Sequence, residues 1–168
     1  MRLILAAVVV LLFNACRSGQ PQSSNQYPNN VGDIEADPKL DDPSFTVCRD
    51  NRIPQYYSIE SGFEGEKPAI VAFFQKNFVK NKKHREDDGY ITIRFVVNCM
   101  GQTGRFRMQE MSPDLTPKQF SPALSEQLLQ LVKALQGWKP GQRNGVAIDY
   151  YQYLTFKIKD GEIIEILP

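Results

Sequence analysis

Apolar positions along the chain fall into two kinds of run, one repeating every second residue and the other every three to four. Residues 90–97 give the cleanest of the first kind. Ile91, Ile93, Phe95 and Val97 alternate with Thr92 and Arg94, the pattern of a half-buried strand. After the turn NCMGQTGRF, Arg105, Arg107 and Gln109 alternate with Phe106 and Met108, so the two runs predict a hairpin. The four-residue spacing of Ile70, Phe74 and Phe78 predicts a helix that starts at Pro68 and ends near Lys80. A second helix is expected behind Ser121, a good N-cap, and Pro122. Leu124, Leu128, Leu131, Val132 and Leu135 fall on its one apolar stripe, and Gly137 closes it. Residues 55–59 read as a short strand broken by Gly62 to Gly65. Trp138 to Gly141 leads through Asn144-Gly145 into residues 146–158, which read as one long strand. Asp160-Gly161 then turns the chain into a last apolar strand, 163–167. The order β-α-β-β-α-β-β predicts an α+β domain, with two helices packed on one face of a small, mainly antiparallel sheet.

The N-terminal part is patterned differently. Arg2 precedes an uninterrupted apolar run from Leu3 to Phe13. A bilayer-spanning helix needs about 20 apolar residues, so this run fits a secretory signal peptide instead. Residues 17–44 carry no hydrophobic period and read as a flexible tether. Between the two, Asn14-Ala15-Cys16 resembles the lipobox of bacterial lipoprotein signals. That resemblance implies cleavage before Cys16 and diacylation of its new N-terminus, hence a membrane anchored through lipid. The expected organisation is a signal peptide over 1–15, a tether over 16–44 and a folded domain over 45–168. Arg17 in place of Asp resembles lipoproteins sorted onward to the outer membrane, which places the domain in the cell envelope facing the periplasm.

With Cys16 assigned to lipid, Cys48 and Cys99 remain, and an even pair in an exported chain reads as a disulfide. Two thiols and one histidine cannot fill a tetrahedral metal site. That histidine, His84, sits in the run KNKKHREDD and reads as a solvated loop residue. Neither a metal nor another cofactor is called for. Loss of Arg2 with the signal leaves basic and acidic residues equal in number, which offers no electrostatic footprint for nucleic acid. There is no Gly-x-Ser-x-Gly, phosphate-binding loop or Cys-x-x-Cys, so the sequence names no catalytic residue and predicts no enzyme.

The second half resembles the TonB C-terminal domain family. The match rests on GYITIRFVVNCMGQTGRF, the Leu-rich helix and GWKPGQRNGVAIDYYQYLTFKI, and spans about residues 55–160. Gly89, Gly101, Trp138, Pro140, Gly141, Asn144, Gly145 and Phe156 stand at the family's positions, and the turn cysteine resembles lipoproteins of Bacteroidetes-type bacteria. Folding roles are expected for all eight. The resemblance implies β-augmentation, in which a peptide of a partner protein adds to an exposed sheet edge. That edge is expected on the aromatic strand 146–158, at Tyr150, Tyr151, Tyr153 and Leu154, or on the final strand. A family transducer needs a transmembrane helix and a long spacer. A cleavable signal and short tether point instead to a binding module that is not itself energised. Self-association of the sheet edge, giving a homodimer with a structural role, is the alternative.

Overall fold

The computed structural model describes residues 32–49 and 52–167, so the expected signal 1–15, Cys16 and the tether up to residue 31 lie outside the described residues. The elements are β1 (Glu60–Phe63), α1 (Glu66–Asn77), β2 (Gly89–Val97), β3 (Thr103–Met111), α2 (Pro122–Ala134), β4 (Trp138–Arg143), β5 (Val146–Ile148), β6 (Tyr150–Lys159) and β7 (Glu162–Leu167). They form two antiparallel sheets, one of order β3-β2-β6-β7 and a smaller one of order β1-β4-β5. The α+β class is observed, with the antiparallel sheet divided in two.

Alternation along β2 sorts its side chains between two cores. Ile91, Ile93, Phe95 and Val97 are fully buried in one cluster with Phe74 of α1 and Leu124, Leu128 and Val132 of α2. Burying one such side chain is worth about 1.5–3 kcal/mol, so this cluster dominates the packing energy. Trp138 joins it edge-on between Phe63 and Phe95, at ring centroid distances of 5.0 and 5.3 Å. Val96 points the other way, into a smaller cluster with Ile34, Ile53 and Tyr151.

Ile34 belongs to the segment expected to be a tether. Residues 32–49 instead form a strap across the second face of the larger sheet. Ile34 is 3 % exposed. Arg94 donates to the Gly32 carbonyl, and Arg107 donates to the Glu35 carbonyl at 2.8 Å. The Phe45 ring packs against Gly104, where a Cβ would come within 2.2 Å of it. The folded unit therefore begins at Gly32 rather than at residue 45. A lone isoleucine and a lone phenylalanine in a polar stretch make no period, and the strap is held by points rather than by a stripe.

One of those points titrates. Arg107 forms a two-pronged ion pair with Asp41, at 2.6 and 3.0 Å, and this hydrogen bond holds the Asp41 carboxyl below its ordinary value. A carboxyl with a lowered folded pKa contributes stability above its unfolded pKa, and that contribution is lost as pH falls through the folded value. The strap is therefore expected to loosen below about pH 4. Amide hydrogen exchange over residues 33–45, corrected for intrinsic rates, measures this. Arg107→Ala is expected to lower protection at pH 7 and flatten its acid dependence; a strap equally protected in both proteins would contradict the assignment.

Four further local expectations are corrected. Residues 55–59 are not a strand: Ser58 bonds back to the Gln55 carbonyl through both N–H and hydroxyl, closing a 3-10 turn over Tyr56–Ser58. The strand begins after it and takes in Gly62. Helix α1 starts before Pro68 and ends before Lys80, because Gly65 in a left-handed conformation starts it and the extended Phe78 stops it. Trp138 to Gly141 is not a link but the start of β4, paired on both sides by β1 and β5. The long strand 146–158 is two strands, divided at Asp149 as the chain passes from one sheet to the other.

Candidate functional site

Tyrosines spaced along a strand suggest an edge, yet β6 lies between β2 and β7. Tyr150 is fully buried, its hydroxyl donating to the Lys139 carbonyl at 3.0 Å, and burial pushes its pKa far above the usual tyrosine range. Leu154 is in the main core and Tyr151 in the smaller one. The side chains of these three of the four expected edge residues are thus spent on packing in the two cores.

Tyr153 is different. β7 ends at Leu167, opposite Thr155. On the same side, Tyr151 is bridged by Gln55 and gives its N–H to the Pro54 carbonyl at 2.8 Å. Backbone groups alternate in direction along an antiparallel strand, so the N–H of Tyr153, two residues on, also faces away from β2. It meets no strand. The Gln152 side chain folds back and its Oε1 accepts that N–H at 2.8 Å. The row of partners along β6 thus has a one-residue gap, filled by an amide of the strand itself.

This gap opens on a cleft of about 680 Å³ between the two sheets, lined by Tyr56, Phe63, Trp138, Pro140, Tyr153 and Leu154. The volume lies in the range of small-ligand sites. Tyr56 stands edge-on to Tyr153 at 5.5 Å, and the hydrogen bond between their hydroxyls, with burial, pushes the Tyr56 pKa up to about 12. Two cations, Lys67 and Lys139, and two anions, Glu60 and Glu66, also line it, so the cleft carries no net charge preference. The indole Nε1 of Trp138 is buried and has no hydrogen-bond partner among the described residues.

A second groove, of about 490 Å³, runs between α1 and β7 and is lined by Val71, Phe78, Ile163 and Ile164 among others. β7 has no strand on its outer side among the described residues. Ile164 there is 55 % exposed, but an irregularity in the β6–β7 register and the Lys80–Glu162 ion pair interrupt the edge. Both are devices that blunt edge-to-edge pairing.

The eight residues that carry the family resemblance sit in turns, in strands and in the core, and Trp138 and Pro140 among them also line the cleft. Gly101 lies at the hairpin tip with positive φ, where a Cβ would stand 2.5 Å from the Trp138 carbonyl oxygen, so the tip can seat on the start of β4 only as glycine. Asn144 and Gly145 both take positive φ in the turn joining β4 to β5. Gly89 opens β2, Pro140 and Gly141 lie in β4, and Phe156 is fully buried.

Cys48 and Cys99 are bonded to each other, with Cα atoms 6.0 Å apart. Beside them is a residue the pattern did not single out. Asp149 is 2 % exposed, and its carboxylate accepts N–H bonds from Cys48, Arg49 and Cys99 at 2.8–3.1 Å. The one signal in the sequence was an acid set between Ile148 and Tyr150 in an otherwise apolar run. The two sulfurs and this carboxylate lie within 4.8 Å of one another, a spacing that metal ligands share. The sulfurs are spent in the bridge, however, and a carboxylate has about four acceptor positions. Four N–H contacts occupy them here, two on each oxygen. The cluster is a clasp and not a metal centre.

His84 is not solvated. It is 8 % exposed, because the Asp160-Gly161 turn packs on its backbone and Gly161 donates to the Asp87 carbonyl at 3.0 Å. Its Nδ1 lies 3.8 Å from Asp87, whose carboxylate accepts the Ser121 N–H. Ser121 caps α2 without using its own side chain, and Asp87 supplies the negative charge that a helix N-terminus favours. No protein-family model, curated protein or solved structure matches this chain.

Proposed function

We propose that this protein is an envelope lipoprotein, held by lipid on Cys16 at the outer membrane and facing the periplasm, whose TonB C-terminal-like domain binds an extended segment of another envelope protein. The segment lies in the cleft between the sheets and adds to β6 at Tyr153, and the protein is not itself an energised transducer or an enzyme. The observation that carries this reading is the Tyr153 N–H, without a strand partner among the described residues and held by Gln152. A peptide carbonyl can replace the Gln152 amide there at little cost, since one hydrogen bond is exchanged for another. Main-chain bonding supplies affinity, and the aromatic wall of Tyr56, Phe63 and Trp138 supplies contact area. Self-association through β7 is the weaker alternative, since that edge is already blunted.

Tyr153→Pro removes the outward N–H and none of the bonds to β2, a position where proline is tolerated in strands. Crosslinking in the native envelope is expected to join the wild-type protein to a partner and to lose that product in Tyr153→Pro, with circular dichroism unchanged. A product retained by a folded Tyr153→Pro protein would overturn the site. A product that contains only two copies of the chain would favour the β7 alternative.

A further inference from the structure

Beyond peptide binding, the surroundings of the bridge carry a second reading. We infer that the Asp149 carboxylate guards the Cys48–Cys99 disulfide against thiol–disulfide exchange. The carboxylate and both sulfurs lie within 4.8 Å of one another, and Asp149 is 2 % exposed, so water does little to screen it. Cys48 is the exposed member of the pair and Cys99 the half-buried one.

Exchange with an external thiolate proceeds in two displacements. The thiolate attacks Sγ of Cys48. A bond forms between the two sulfurs, the bridge breaks, and the electron pair leaves on Sγ of Cys99. A second thiolate then attacks the external sulfur of the mixed disulfide, releasing the oxidised reagent and the Cys48 thiolate. Both protein thiolates take protons from water, and two reagent thiols are oxidised for one bridge reduced. Negative charge thus arrives at one sulfur and departs on the other, each time beside a fixed negative charge. Repulsion slows the approach, and a thiolate disfavoured by its neighbour is a poorer leaving group. The consequence is a bridge that persists among exchanging thiols, so that the strap stays fastened to the hairpin tip.

The test compares two small thiols of opposite charge, cysteamine (an ammonium) and 3-mercaptopropionate (a carboxylate), with rates expressed per thiolate on the native protein. Cysteamine is expected to reduce the wild-type bridge at least about tenfold faster than 3-mercaptopropionate. Asp149→Asn is expected to bring that ratio close to the one measured on the urea-unfolded chain. A purely structural role for Asp149 would speed both reagents alike and leave the ratio unchanged, which would overturn the inference. Should Asp149→Asn not fold, the ratio for native wild type against unfolded wild type decides: equal ratios reject the guard.

Discussion

Asp149→Ala is expected to lower the free energy of unfolding by about 3 kcal/mol, read as a drop in the guanidinium midpoint with the bridge intact. Three N–H donors from two distant parts of the chain converge on this carboxylate, Cys48 and Arg49 from the strap and Cys99 from the hairpin tip. Each donor left without an acceptor in a buried place costs about 1–3 kcal/mol. Cys48 is exposed, so water recovers part of that loss and the lower end of the sum applies. Asp149 also sits at the point where the chain leaves β5 for β6, so the same carboxylate holds the junction of the two sheets. Asp149→Asn keeps one acceptor oxygen and is expected to fall between wild type and alanine. A loss below about 1 kcal/mol in the alanine variant would mean that water replaces the carboxylate, and the clasp would carry no weight.

Periodic segments of this chain were legible in its sequence and point-held segments were not. β2 and α2 declare themselves because each buries a regular stripe, and β3 because Phe106 and Met108 alternate against the same core. β4 was missed because Pro140 and Gly141 are turn residues by habit, yet β4 lies between two strands of a small sheet and Gly141 makes room for Ile59. The strap was missed because Ile34, Asp41 and Phe45 each find a separate partner across the sheet, and separate contacts leave no period. The candidate site shows the same limit. A strand's own residues tell which face they occupy but not which strand lies beside them. Tyr150, Tyr151 and Leu154 were correctly placed on a strand, but their side chains are buried in the two cores, and β7 pairs only with Thr155 to Lys159 beyond them. Among the described residues β7 pairs back only as far as Thr155, short of Tyr153, and nothing in the composition of β6 marks that point.

Cys99→Ser is expected to cost about 4 kcal/mol and to lower Tm on the order of 10 °C. The bridge joins residues 51 apart in sequence, and the chain-entropy model assigns roughly that figure to a loop of such length. Two free thiols in the native protein would refute the bridge outright. The strap keeps other fastenings in the variant, Ile34 in its pocket and Asp41 on Arg107, so the fold is expected to survive with its N-terminal part loosened. Cys48→Ser is expected to cost the same as Cys99→Ser, and the pair together no more than either, since one bond is lost in every case. Asp149→Ala combined with Cys99→Ser tests the clasp as a unit. With the bridge gone, the Cys48 and Cys99 amides are no longer tied together, and the carboxylate that held both has less to hold. The double variant is therefore expected to lose at least about 1 kcal/mol less than the two single losses added, as neighbours sharing partners do. Strict additivity would separate them, leaving the bridge as a restraint on the unfolded chain alone and Asp149 as an acceptor that works without it.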